Sequence, residues 1–356
     1  MQVTRLILRH FRNYQEVVVP LEAGVNLIQG NNGAGKTSLL EALFLLSTGR
    51  SFLTSHLTDL IRKGAEHFYI EAHFIRDNVE QTLGIGYDGK IRKVHYNATP
   101  FHHFSHVLGI LPSVLYSPKD STLISGSPQE RRRFLNIQLA QTDPLYVHHL
   151  MRYHKAMKHR NALLKIRSEA AIESWEQMMA DSARFLMHCR KKLIEALRPK
   201  VERISQELSS GQDLFTLHYE PSIPLQKEDQ IEALLKKQRP KELVIGSTLT
   251  GPHRDDVHIT YHGREAKTFA SEGQKRTCIA ALKMAEWEEL QTRTNISPLF
   301  SIDDFGVHLD PERTEILQEK LFSFGQVLLT SPQRSNQGTL HIENGILQQI
   351  CKSSIH

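Results

Sequence analysis

Gly30-Asn31-Asn32-Gly33-Ala34-Gly35-Lys36-Thr37 lies between a short apolar run, Val25-Asn26-Leu27-Ile28-Gln29, and a longer one from Leu39 to Leu46. The spacing is that of a strand, a glycine loop and a helix around the pattern G-x-x-x-x-G-K-[ST]. Glycines let the backbone wrap a phosphate so that successive N–H groups point at it. Lys36 can reach the β- and γ-oxygens, and the Thr37 hydroxyl suits a Mg²⁺ position. The helix that follows turns its positive end toward the anion. Gly30 to Thr37 is therefore expected to bind ATP and Mg²⁺.

Such a loop needs a carboxylate at the end of a neighbouring strand. Asp303-Asp304 follows the apolar run Leu299-Phe300-Ser301-Ile302 and fits. Asp303 would hold Mg²⁺ and Asp304 would orient or deprotonate the attacking water, with Lys36 as the catalytic cation. A cap or turn is the competing reading of paired aspartates; the strand before them and the loop in the same chain argue against it. Ser271-Glu272-Gly273-Gln274 opens another helix. Ser271 and Gln274 form a capping box, and Cys278, Ala281, Leu282 and Ala285 give the buried face. A helix end with Ser and Gly at its tip is also an anion-binding device.

Texture along the chain divides it. Residues 1–116 and 243–356 read as one discontinuous α/β domain, with strands at Phe68 to Ile75, Gln81 to Tyr87 and Ile91 to Tyr96, and hairpins at Asp88-Gly89 and Asn344-Gly345. Residues 117–242 read as an inserted α-helical lobe. Its first helix opens at Ser127-Pro128-Gln129-Glu130, with Ser127 capping and Glu130 completing the box, and its second opens at Asp143-Pro144. A long stretch from Ile172, kinked at Pro199 and stopped at Gly211, gives a short coiled-coil-like arm. Glu220 to Pro224 and Lys236 to Lys241 read as connections.

The composition is that of a folded globular chain: 356 residues, 40% hydrophobic and 23% charged. A net charge of +5 favours a polyanionic partner. No window approaches the ~18 apolar residues of a membrane span. The start of the chain lacks the pattern of a signal peptide. Three scattered cysteines fit a reducing interior. These features together predict a soluble cytoplasmic protein. The histidine groups His102-His103-His106 and His148-His149 lack partners at zinc spacing and read as ordinary surface or core residues.

At this point the chain resembles the RecF DNA replication and repair proteins, SMC-like ATPases of the ABC type. The likeness runs through Phe11-Arg12-Asn13-Tyr14, the phosphate loop with Leu39-Leu40-Glu41-Ala42, and Gly49-Arg50-Ser51-Phe52. It continues through Gly126-Ser127-Pro128, Arg131-Arg132-Arg133-Phe134-Leu135 and Arg160-Asn161-Ala162-Leu163-Leu164-Lys165. Thr250-Gly251-Pro252-His253-Arg254-Asp255-Asp256 and Phe269-Ala270-Ser271-Glu272-Gly273-Gln274-Lys275-Arg276-Thr277 are its most specific parts. The resemblance implies an ABC-type ATPase head with a helical second lobe, and an ATP-dependent homodimer. In that dimer Ser271, Gly273 and Gln274 of one subunit meet the nucleotide held by Lys36 of the other, and Arg12 and Asn13 lie near it. It also implies DNA binding at single-stranded gaps and stalled forks, recombinase loading with mediator proteins, and weak DNA-stimulated ATP hydrolysis. Two departures stand out. Gly306-Val307-His308-Leu309-Asp310 occupies the place of the family's Ser-Glu-Leu-Asp, and Glu272 and Lys275 stand where glutamines are common.

Candidate DNA contacts are Arg131, Arg132 and Arg133, at the start of a helix, and Lys155, Lys158, His159 and Arg160 on the next. A charged face used for solvation or packing is the competing account. A P-loop small-molecule kinase also fits the glycine loop but leaves Ser271 to Gln274 and the helical lobe unexplained. A transporter ATPase subunit would need a membrane partner. A GTPase is disfavoured because Asn-Lys-x-Asp is absent.

Overall fold

The computed structural model describes residues 1–305, 311–332, 340–343 and 345–349. In chain order the strands are β1 Gln2–Phe11, β2 Tyr14–Pro20, β3 Val25–Gln29, β4 Phe68–Arg76, β5 Val79–Tyr87, β6 Arg92–Tyr96, β7 Thr99–Phe101 and β8 Ser113–Tyr116. They continue as β9 Phe215–Glu220, β10 Asp256–Tyr261, β11 Arg264–Glu265, β12 Leu299–Ile302, β13 Val327–Ser331, β14 Leu340–Glu343 and β15 Ile346–Gln349. The α-helices are α1 Lys36–Thr48, α2 Thr122–Ser125, α3 Pro128–Ala140, α4 Pro144–Lys165, α5 Ile172–Leu208, α6 Ile231–Ile245, α7 Ala266–Phe269, α8 Glu272–Thr294 and α9 Pro311–Leu321.

Three sheets result. The first is antiparallel, in the order β2-β1-β4-β5-β6-β7; the second runs β15-β14-β3-β13-β12-β8; the third is β11-β10-β9. In the second sheet β14, β3, β13, β12 and β8 are parallel neighbours, and β15 closes the edge antiparallel. Its central strands are continuous apolar runs because both faces are covered. The pleat sorts their side chains. Leu115, Leu299, Leu328 and Ile28 enter a core with α1 and the first sheet. Val114, Tyr116, Phe300, Ile302, Val327 and Leu329 enter a core with α3, α4, α5 and α8. Helix α1 lies between two sheets and is buried nearly all round, as its mostly apolar sequence requires; its one buried acid, Glu41, is paired with Arg12.

The expected hairpin at Asp88-Gly89 joins β5 to β6, and Asp88 accepts from the backbone of Lys90 and Ile91. Asn344 of the other hairpin lies outside the described residues, though β14 and β15 pair beside it. Gly306 to Asp310 also lie outside them. Ser127 stands at the N-cap of α3, but its side chain makes no cap bond; the first turn closes backbone to backbone, Glu130 N–H to the Ser127 carbonyl at 3.1 Å. Asp143 does cap α4, accepting from Leu145 N–H at 2.8 Å. Lys236 to Lys241 is not a connection. It lies within α6, which runs through Pro240 to a left-handed Gly246. Arg239, facing inward, pairs with Glu169 and Glu176, and this tertiary anchor outweighs the poor local signal.

Helices α4 and α5 form the arm. Near the turn that joins them Arg160, fully buried, pairs with Glu176 at 2.9 Å and Glu242 at 2.6 Å, tying α4 to α5 and α6. The base of the arm is tied to β10 by the segment Thr250 to Asp256. Asp255, fully buried, accepts from Arg190 of α5 at 2.9 Å and from Ser222 N–H at 2.9 Å. Gly251 has φ 138°, and a Cβ there would sit 2.2 Å from the Tyr153 hydroxyl, so only glycine fits. That hydroxyl contacts His253 Nδ1 at 2.7 Å. Further off, the Gln326 side chain pairs with both backbone groups of Val3 at 2.7 Å, stitching the first strand to the chain just before β13. Strand β9 belongs to the 117–242 stretch yet pairs with β10.

Two stability predictions follow from these ties. Arg160→Ala strands Glu242 in the interior and should cost about 3–5 kcal/mol in urea unfolding; a loss below about 1 kcal/mol would show that the carboxylates find other partners. Burial holds His253 down at about 4. Its folded value is depressed, so its contribution is present above the ordinary 6.5 and is lost as pH falls toward 4. Unfolding midpoints measured from pH 7 to pH 4 should fall more steeply for the wild type than for His253→Asn.

Candidate nucleotide site

The loop after β3 and the turn after β12 meet at the carboxyl ends of the parallel strands. Thr37, in the first turn of α1, donates its hydroxyl to Asp303 Oδ1 at 2.9 Å. Thr330 of β13 donates to the same oxygen at 2.9 Å. Asp303 N–H donates to the Tyr116 carbonyl at the end of β8. Asp303 therefore joins the loop and β13 through its carboxylate and β8 through its backbone. Asp303 is buried. Asp304 takes a left-handed φ of 56°, with its N–H on the Thr330 hydroxyl at 2.8 Å.

The loop itself is shaped by glycine. Gly30 has φ 156° and packs so closely that a Cβ would lie 2.3 Å from the Ile342 carbonyl oxygen. Gly35 has φ 119°, and a Cβ would lie 2.6 Å from the Tyr14 hydroxyl and 2.7 Å from Asn13 Nδ2. Those side chains hold the loop from outside: Asn13 Nδ2 donates to the Ala34 carbonyl at 2.9 Å, and the Tyr14 hydroxyl to the Gly35 carbonyl at 3.1 Å. Lys36 spans the loop, donating to the carbonyls of Gly30 at 2.7 Å and Asn31 at 3.0 Å. Burial lowers its pKa, and the charges of Asp304 and Asp303 oppose that shift.

A cavity of about 930 Å³ opens over the loop, lined by Asn32, Gly33, Gly35, Lys36, Thr37 and Asp304 and on the far side by Arg12, Asn13, Asp59, Arg62 and Lys63. Arg12 is held there by Glu41, at 2.7 and 2.8 Å, and by the Asp59 carbonyl at 3.0 Å. The hydrogen bond to Glu41 raises its pKa further. Sequence reading passed over Arg62 and Lys63. The adjacent basic pair before Gly64 was the available signal, but nothing local ties it to the loop. A hard cation suits the donor set. A threonine hydroxyl and a strand-end carboxylate side by side leave positions for water and phosphate oxygens, as Mg²⁺ prefers.

Ser271, Gly273 and Gln274 stand elsewhere. The capping box forms as expected, with Gln274 N–H to Ser271 Oγ at 3.3 Å and Ser271 N–H to Gln274 Oε1 at 2.8 Å. Ser271 and Gly273 are exposed, and none of the three lines the loop's cavity. The basic candidates divide. Arg160 is enclosed by Glu176 and Glu242 and is not a surface contact, and Arg131 is held in two bonds by Asp256 at 2.7 and 2.8 Å. Both are correctable to packing roles: the acidic partners lie on distant segments that spacing alone does not reveal. Arg132 and Arg133 are half-buried and, among the described residues, donate to the carbonyls of Asp255 and Ser51. Lys155, Lys158 and His159 are exposed, and the His159 ring stacks on Trp175 at 4.5 Å.

Residues 2–341 match the family model for the RecF/RecN/SMC N-terminal domain. The chain is 47% identical over 337 residues to the DNA replication and repair protein RecF of Protochlamydia amoebophila, covering 93% of this chain and 94% of that one. A solved structure of the recombination mediator protein RecF-ATP in the RecFOR pathway superposes with a TM-score of 0.92 at 28% identity, over 98% of both chains. The Smc head domain from Pyrococcus furiosus, solved with the C-terminal domain of ScpA, is 16% identical with a TM-score of 0.57, over 98% of this chain and 95% of that one, and shares the fold.

Gly35→Ala should lower ATP affinity at least about tenfold in titration calorimetry, because a Cβ at that φ collides with Tyr14 and Asn13. Unchanged affinity would mean that the loop adopts another shape when it binds.

Proposed function

Because the chain belongs to the RecF/RecN/SMC N-terminal family, and within it to the RecF DNA replication and repair proteins, we propose that it is an ATP-gated, dimeric DNA clamp of recombinational repair. In this reading it acts in the cytoplasm at single-stranded gaps and gap junctions, helps load the recombinase with mediator proteins, and supports replication restart. ATP binding is the switch, and slow hydrolysis resets it.

The observation that carries this reading is the separation of two halves of one site. Lys36, Thr37 and Asp303 converge at the loop, while the capped Ser271 helix end is exposed and does not line the cavity over that loop. A helix N-terminus with free N–H groups suits a γ-phosphate presented by a second subunit. Gly30 to Thr37 would cradle the phosphates, Thr37 and Asp303 would hold Mg²⁺, and Asp304 would orient the attacking water. Arg12 and Asn13 would border the nucleotide. Bound Mg²⁺ would neutralise charge on the transferring phosphoryl group. The relatives' names and the RecF-ATP structure support the repair role and the nucleotide.

Sizing the protein with ATP and Mg²⁺ tests the dimer. Wild type should dimerise, and Ser271→Arg and Lys36→Met should remain monomeric; dimers that survive both changes would sink the mechanism. Turnover should be slow and should rise with gapped DNA. Fast turnover indifferent to DNA would instead describe an ordinary ATPase subunit.

A further inference from the structure

Away from the nucleotide loop, the far end of α1 faces the helical lobe across a cavity of about 930 Å³ whose lining includes Arg50, Arg92, Arg132 and Arg133. An adjoining cavity of about 810 Å³ shares Arg50, Arg92 and Arg133 with it and adds Lys119 and Phe52. Together they make one trough between the first sheet and α3.

Arg92, Arg132, Arg133 and Lys119 of this trough are held by neutral oxygens. Arg92 donates to the Gly49 carbonyl at 2.9 Å and lies over the Phe104 ring at 5.1 Å. Arg132 donates to the Asp255 carbonyl at 2.7 Å, Arg133 to that of Ser51 at 3.0 Å, and Lys119 to that of Leu53 at 3.0 Å. Among the described residues none of these, nor Arg50, makes an ion pair with a carboxylate. The acids nearby are already matched: Asp255 with Arg190, Asp256 with Arg131, and Asp120 and Glu286 with Lys283. Glu130 is the remaining carboxylate in the lining. Burial and the charge of Arg50 hold Arg92 below its ordinary value, so these guanidinium groups sense each other. Half-buried like charges in a walled groove attract a polyanion strongly, and guanidinium forks match phosphate oxygens.

We propose that this trough binds the backbone of a single nucleic-acid strand. Phe52 offers a stacking surface for a base. The inference rests on the reading of the chain as a DNA-binding protein and adds to it a place. The trough shares no lining residue with the cavity over the phosphate loop.

Arg50 is exposed, and among the described residues its side chain makes no hydrogen bond; its bonds to Thr48 use the backbone alone, so replacing the side chain leaves the fold intact. Fluorescence anisotropy of a short oligothymidylate, with ATP and Mg²⁺ over a range of NaCl concentrations, tests the trough in the full chain. Arg50→Glu should weaken binding about tenfold and flatten the log–log salt slope by about 0.7 for the lost phosphate contact, and Arg50→Lys should restore most of both. Unchanged affinity and slope in Arg50→Glu would overturn the trough; if Lys36→Met still abolishes ATP-dependent DNA binding, the clamp reading survives that result. A wild type that binds no DNA takes down both. Inorganic tripolyphosphate is the last arm: if Arg50→Glu loses affinity for it and not for the oligonucleotide, the ligand is a free polyphosphate and the strand is wrong.

Discussion

Burial of both faces of one parallel sheet is the constraint on which the rest depends. Strands β3, β13, β12 and β8 put mainly apolar side chains into the two cores above and below them, and the few polar ones they bury, such as Asn26 and Thr330, are hydrogen-bonded. Polar groups are thus driven to the strand ends, and in a parallel sheet the carboxyl ends all lie on one side. Gln29-Gly30, Asp303, Ser331 and Ser117 emerge there. Asp303 is where the arrangement becomes chemical, because the same carboxylate bonds to the phosphate-loop helix and to the neighbouring strand.

The parts of this that were legible in the sequence are those in which local pattern and tertiary need agree. The glycine loop, the apolar runs around it and the Ser271 cap all satisfy their own backbone groups, so spacing alone reveals them. The chain from Lys236 to Lys241 shows the opposite case. Its lysines and proline signal a break, yet Arg239 reaches carboxylates of Glu169 and Glu176 on other segments, and the helix continues. The triple arginine was ambiguous for the same reason. Arg131 is satisfied by Asp256, far along the chain, while its neighbours meet only carbonyls. Arg62 and Lys63 join the nucleotide cavity only because Arg62 N–H bonds to the His10 carbonyl and carries that turn over the loop.

Charge in the arm and charge at its base are handled differently. Arg160 and Arg190 are sealed from solvent and matched by carboxylates, which fixes the angle at which α4, α5 and α6 leave the head. Such pairs add little net stability but penalise any packing that separates them. In the trough beside them Arg50, Arg92, Arg132 and Arg133 make no ion pair among the described residues. Helix α1 runs from Thr37 at one site to Gly49 beside the other, about 20 Å at helical rise.

The place of β3 also dictates an order of events. It is sandwiched between β13 and β14, and the first sheet is stitched to Gln326 through Val3. The strand that launches the phosphate loop is synthesised long before either of its sheet neighbours. Until residues beyond Val327 leave the ribosome, β3 is an apolar edge without a partner, while the antiparallel β1-β2-β4-β5-β6-β7 sheet can already close on its own local turns. A nascent chain cut short before that point would carry every residue of the phosphate loop, with Asn13 and Tyr14 to hold it from outside but without the strands that flank β3. Nucleotide binding therefore comes late in the life of the chain, as a property only the finished sheet confers.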